Sequence, residues 1–240
     1  YYKFKISNIV NTLLYPIMRN SIFTIAAIIS VATCPVFSQE GKIAAVESAN
    51  QNTSYYNVPD FPQKFSRRKP KNVILMIGDG MGVAQVYAGM TANQGNLFLN
   101  NFRHTGFSRT QSANRYTTDS AAGGTAIATG NKTNNSSIGV DRDNKPVPSI
   151  MEIAAANGLG TGIVVTTNVL DATPAAFVAH VPNRNMMPEI AVDFAETGPD
   201  VFIGGGIKYF NDRKDGRNLL SELSSKGYHV CDTITELVKV

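Results

Sequence analysis

Ser120 stands where a polar run, Thr117-Thr118-Asp119, meets a run made almost wholly of small residues, Ala121 to Ala126. That junction predicts a helix start. Thr118 or Asp119 can cap the free N–H groups of the first turn, which leaves the Ser120 hydroxyl in the field of the helix N-terminus, where an anion is welcome. The Ala and Gly residues behind it let backbone approach a small ligand and let the helix pack close to a neighbour. Asp79 lies between Gly78 and Gly80 at the end of an apolar run, open to a metal ion or to a cap on whatever helix follows. Asp171 and Thr173 sit two apart ahead of Pro174. In an extended segment both would aim hard oxygens one way, as magnesium requires, although a turn stabilised by the two side chains accounts for the pair as well. Arg184 carries the planar guanidinium that can grip two phosphoryl oxygens, but an Arg after Pro182-Asn183 is also an ordinary surface loop residue.

Taken together these segments look like one family. Asp119 to Ala126 followed by Thr129-Gly130 resembles the nucleophile segment of alkaline phosphatases. Lys71-Asn-Val-Ile-Leu-Met-Ile-Gly-Asp-Gly-Met-Gly82 is similar to that family's first metal-binding strand and turn. Asp171 to Ala176, and His180-Val-Pro-Asn-Arg184, are similar to its next two site segments. The resemblance implies that Ser120 is phosphorylated during turnover and that Arg184 holds substrate and departing phosphate. It implies two Zn2+ ions and one Mg2+, with Asp79 shared between a zinc and the magnesium. Thr173 would be a direct magnesium ligand, Asp171 a direct or water-mediated one, and Ser120 itself would meet a metal. Phosphate monoesters are the implied substrates and a homodimer the implied assembly. Two dications can clamp the attacking and leaving oxygens of a phosphate ester and let a serine act without a histidine base. No Gly-x-Ser-x-Gly elbow surrounds Ser120, as that chemistry predicts. His180, His104 and His229 are read as packing residues.

The elements that must position these groups alternate along the chain. Val73 to Ile77 reads as a strand covered on both faces, placing Asp79 at its carboxyl end, where open α/β sheets bind ligands. Thr105 to Ser108 reads as a short strand and a helix starts at Ser120. Another helix spans Ser149 to Asn157 with Gly158 as its stop, and Gly162 to Thr166 is a buried strand. Residues 188 to 197 form a helix, Val201 to Ile203 a strand ending in Gly204-Gly205-Gly206, and residues 216 to 226 a helix. The predicted fold class is α/β, a largely parallel sheet with helices on both faces, in truncated alkaline phosphatase-like form.

The length of 240 residues suits one α/β domain, while a complete enzyme of the family would be nearly twice as long. The chain opens on Tyr1, not Met, so it reads as an amino-terminal half, with most zinc ligands expected in the other half and little turnover alone. Met18-Arg19-Asn20, the apolar run from Ser21, and small residues before Gln39 make residues 1–38 a leader with a signal peptide, Met18 being a candidate true start. The run falls short of the roughly 20 apolar residues of a span, so stable membrane insertion is not expected after cleavage, and the location is periplasmic or secreted. Residues 39–70 read as a flexible arm and 71–240 as the catalytic part. The net charge of +4 owes three cations, Lys3, Lys5 and Arg19, to the leader, which has no acid; without it 19 basic residues face 18 acidic ones. No basic stripe remains for nucleic acid. The glycines near Asp79 fail the dinucleotide pattern at Val83, and Gly130-Asn131-Lys132 breaks the Gly-Lys step of a phosphate loop. Two other readings are another hydrolase on the same scaffold, a phosphodiesterase, sulfatase or phosphomutase, and a non-catalytic phosphate-binding module.

Overall fold

A computed structural model describes residues 55–59 and 69–239. The leader and most of the arm lie outside the described residues. Residues 55–59 with 84–101 form one compact unit, and 69–83 with 102–239 form a second.

In the first unit, helix α1 (Val83–Ala92) runs on to the buried Asn93, whose amide treats Tyr56 as a strand neighbour would. Its Oδ1 accepts from Tyr56 N at 3.0 Å and its Nδ2 donates to Tyr56 O at 3.1 Å. The Tyr56 ring stacks on Phe98, with centroids 5.5 Å apart. That short piece of the arm is therefore fastened by side-chain amide bonds and ring contact, although it carries no apolar periodicity.

The second unit begins with a departure from expectation. Val73 to Ile77 pairs with no strand among the described residues, and its side chains are exposed, Val73 at 84% and Met76 at 87%. An apolar run supplies a strand's side chains, but strand identity comes from a hydrogen-bonding neighbour. The same correction applies to Thr105 to Ser108, which forms no strand and leaves Phe107 fully exposed. Helix α2 (Ser120–Thr129) starts where the small-residue run starts. Helix α3 (Ile150–Ala156) has the reciprocal capping box of Ser149 and Glu152, and Gly158 follows its end at φ +71°. Strand β1 (Gly162–Asn168) runs two residues past the expected end, and only Ile163 in it is buried. The single turn α4 (Ala172–Ala175) and helix α5 (Met187–Thr197) lead to strand β2 (Val201–Gly205), which takes in two of the three glycines. The turn α6 (Lys208–Asn211), helix α7 (Leu219–Ser225) and turn α8 (Ile234–Leu237) complete the unit. Helix α7 is shorter than expected because Asn218, which accepts from Ser221 N at 3.0 Å, caps it two residues into the predicted span.

Strands β1 and β2 are parallel, with Gly162 opposite Val201 and Val164 opposite Ile203, and the register slips before Asn168 meets Gly205. Helix α5 lies in the crossover between them, the connection that parallel pairing demands. Ile190, Phe194, Phe210, Leu219 and Leu223 are fully or nearly fully buried, with Phe202 edge-on to Phe194 at 5.4 Å. The same core takes in small residues, Ala121 and Ala128 of α2 with Ala172, Ala175 and Ala176, together with Ile138, Leu170 and Val178. Among the described residues no helix is long and apolar enough to cross a membrane.

Candidate active site

Asp119 caps α2: its backbone is extended (φ −97°, ψ 175°) and Oδ1 accepts from Ala122 N at 3.0 Å. Ser120 is thereby fixed as the first helical residue. Gly124, one turn on, faces α4 so closely that a Cβ there would lie 3.2 Å from Ala176 Cβ and 3.3 Å from Thr173 Cα. The small-residue run thus sets how near Ser120 comes to the segment carrying Asp171 and Thr173.

Arg184 closes the gap from the other side. Its Nη1 donates to Ser120 Oγ at 2.8 Å and its Nη2 to Asp171 Oδ1 at 2.8 Å. Asp119 Oδ2 lies 3.8 Å from the same Nη1. The side chains of Arg184 and Asp171 are 27% and 38% exposed, so the pair contributes on the order of 1 kcal/mol or less to folding. What it supplies is the plane of the guanidinium. The Arg184 backbone is held as well, because its N donates to Ser136 O at 2.7 Å, while Ser136 N donates to Asp119 Oδ2 at 2.8 Å. Asn135 clamps the approach to the helix, accepting from Asp119 N at 3.3 Å and donating to Thr117 O at 3.1 Å.

Thr173 Oγ1 donates to Asp79 Oδ2 at 2.7 Å across 94 residues of sequence. All five predicted site residues therefore fall into two hydrogen-bonded groups, Ser120-Arg184-Asp171 and Thr173-Asp79, joined through the turn that carries both Asp171 and Thr173. The expected extended geometry of that turn is corrected. Asp171 is the cap of α4, its Oδ1 accepting from Ala172 N at 2.8 Å, and Thr173 is inside the helical turn, so their oxygens serve different partners. A residue before Pro avoids the α region, yet here the turn Ala172–Ala175 is enforced by Ala175 N and Ala176 N closing on Asp171 O and Ala172 O.

Asp79, Thr173 and Asp171 offer hard oxygen donors, two carboxylates and a hydroxyl, of the kind magnesium takes; zinc accepts a carboxylate too but draws most of its ligands from nitrogen or sulfur. Among the described residues no group of three or more His, Cys, Asp or Glu is gathered as a metal site. The residues present thus fit magnesium and do not make up a zinc site.

Glu152 and His180 were missed as a pair. Four residues before Arg184, His180 places Nε2 2.9 Å from Glu152 Oε1 and Nδ1 2.5 Å from Gly139 O, and its backbone N donates to Asp193 Oδ2 at 3.0 Å. Burial works to lower its pKa, but the hydrogen bond to Glu152, that to Gly139 and the charges of Glu152 and Asp193 together raise it above the usual histidine value. For Asp193 burial prevails over the His180 contacts and the pKa rises. The sequence marked Glu152 only as part of a helix; its separation of 28 residues from His180 left no local signal.

Residues 70–240 match the family model for alkaline phosphatase. Alkaline phosphatase 4 of Bacillus subtilis is 36% identical over 241 residues, covering 94% of this chain and 49% of its own length. The solved alkaline phosphatase of the Antarctic bacterium TAB5 superposes with a TM-score of 0.66 at 42% identity, over 68% of this chain and 48% of that one. A mutant of the TAB5 enzyme, with Mg bound in its M3 site, gives the same TM-score at 43% identity, over 68% of this chain and 47% of that one. The chain spans about half the length of these relatives.

Proposed function

Because this chain belongs to the alkaline phosphatase family, we propose that the protein hydrolyses phosphate monoesters through a phosphoserine at Ser120. The observation that carries the proposal is the Arg184 guanidinium on Ser120 Oγ at 2.8 Å, at the N-terminus of α2. A cation and a helix N-terminus at one oxygen favour its deprotonated form, and the same N–H groups are placed to take phosphoryl oxygens when an ester enters.

In this reading Ser120 Oγ attacks phosphorus, a P–O bond forms to serine, and the P–O bond to the leaving alcohol breaks. Water then displaces the serine oxygen and releases inorganic phosphate. Arg184 orients the phosphoryl group in both halves, and Asp171 keeps the guanidinium plane turned toward Ser120. Magnesium would be held by Asp79 and Thr173, with Asp171 as a direct or water-linked partner, and Asp79 and Ser120 would also meet zinc in a set of two zinc ions and one magnesium. Those dications supply charge neutralisation of the phosphoryl group and its flanking oxygens. The leader supports export to the periplasm or beyond.

The test is phosphate trapping. The full-length protein is quenched in acid after mixing with a 32P-labelled monoester; label on the unmutated protein and none on Ser120→Ala is expected. Absence of label on the unmutated protein sinks the covalent mechanism, and a strong preference for diesters over monoesters assigns the site to another hydrolase of this scaffold.

A further inference from the structure

His180 sits in a clasp that its imidazolium form satisfies in full against an ionised Glu152. Nδ1 faces the Gly139 carbonyl and Nε2 faces the Glu152 carboxylate, at 2.5 and 2.9 Å. A carbonyl and a carboxylate only accept, so imidazolium, which donates from both ring nitrogens, satisfies both contacts, and neutral imidazole beside the same carboxylate satisfies one. Glu152 is fixed in turn, since its other oxygen accepts from Ser149 N at 2.7 Å. Gly139 is fixed too: at φ +60° with room for no side chain, its Cβ would collide with the Ala179 carbonyl. The charged and titratable groups facing the ring are Glu152 from α3 and Asp193 from α5.

The clasp joins the two backbone stretches that hold the catalytic groups. Ile138 and Val181 pair antiparallel, each N donating to the other's carbonyl, at 2.9 and 3.0 Å. His180 pins Gly139 beside that bridge. Two residues before the bridge, Ser136 gives its N to Asp119 and its carbonyl to Arg184 N. Any slackening between the stretches at 136–139 and 178–184 therefore moves the Arg184 backbone relative to the cap of the helix that begins at Ser120.

We propose that His180 is a positioning residue whose imidazolium form tightens the grip of Arg184 on a phosphoryl group, so that loss of its proton weakens phosphate binding. This rests on the phosphatase reading of the site. Deprotonation removes one hydrogen bond from the clasp, and a single bond is worth about three- to tenfold in an equilibrium constant. Linkage makes the effect reciprocal: bound phosphate must raise the midpoint of the His180 titration by the same factor.

The experiment follows the His180 ring nitrogens by 15N NMR in the purified full-length protein from pH 5 to 9, with and without saturating inorganic phosphate; His180→Gln assigns the signals. A midpoint raised by phosphate, corresponding to about three- to tenfold in proton affinity, is expected. An unchanged midpoint with phosphate bound overturns the positioning role and leaves the phosphatase reading standing, whereas failure of phosphate to bind at all counts against that reading first. In parallel, the ratio of phosphate inhibition constants for His180→Gln and the unmutated protein is expected to change with pH, because the ligand's own titration cancels. Glu152→Gln should move that change to lower pH. A ratio constant across the range assigns His180 a purely structural role.

Discussion

Replacing Gly124 with Ala tests whether the small residues of α2 set the catalytic geometry. The added methyl would meet Ala176 Cβ at 3.2 Å and Thr173 Cα at 3.3 Å, contacts that oblige α2 and α4 to part by a few tenths of an ångström. Neither neighbour is the free end of a flexible side chain, so the backbone must yield. Overpacking of this kind costs about 1 to 3 kcal/mol. Ala recovers about 1 kcal/mol of helix propensity over Gly, so the net loss of stability is about 0 to 2 kcal/mol. The functional loss is disproportionate, because Ser120 is on one of the displaced elements and Thr173 on the other. A misplacement of about 1 Å costs roughly 100-fold, so a few tenths of an ångström corresponds to about fivefold in kcat/KM. Gly123→Ala is the matched control. Its methyl would lie 3.8 Å from the Thr118 side chain, an ordinary contact, and it should gain about 0.5 to 1 kcal/mol and keep kcat/KM within about twofold. Urea denaturation and p-nitrophenyl phosphate kinetics on both variants measure the contrast. If Gly124→Ala is as stable and as active as Gly123→Ala, the contact between α2 and α4 does not set the site.

Arg184→Lys keeps the charge but cannot span Ser120 and Asp171; kcat/KM should fall by about 10- to 100-fold, one charge-assisted bond being worth about 1.5 to 3 kcal/mol, and activity near that of the unmutated protein would contradict the two-oxygen grip. Asp79→Asn should weaken protection by Mg2+ against thermal unfolding, and an unaltered magnesium titration would remove Asp79 from the ligand set. His180 has a folded pKa above its ordinary value, so its contribution to stability is fully present below pH 6.5 and is lost as pH rises through the folded value. Asp193, also raised from an ordinary value of 3.8, lowers stability as pH rises through its own, more acidic window. Denaturation midpoints should therefore drop as pH rises above 6.5, with the drop absent in His180→Gln; a midpoint flat above pH 6.5 in the unmutated protein would contradict the imidazolium clasp.

The helices were legible because their ends are local. Asp119 and Ser149 cap within three residues of themselves, and Gly158 follows its helix with the left-handed backbone that a side chain disfavours, whereas the cap at Asn218 lies inside the span expected to be helical. The residues proposed for the site stood out as types in a motif, since Ser at a helix start, Asp between glycines and Arg in a loop each bring their chemistry with them. Val73 to Ile77 marks the limit. Its five apolar residues state a preference for burial, but pairing and burial depend on what lies alongside, and a window of sequence cannot contain that.

By itself, then, the chain determined which side chains are available and where α2 and α3 begin, because propensity, capping and turn chemistry act over a few residues; the helix Val83–Ala92 was not read from it. Only the tertiary structure decided who meets whom. Arg184 reaches Ser120 across 64 residues, Thr173 reaches Asp79 across 94, and His180 is held by Glu152 across 28. The approach of Arg184 to Ser120 is supported by the packing of α2 on α4 and by the pairing of Ile138 with Val181, contacts whose free energy belongs to the assembled core.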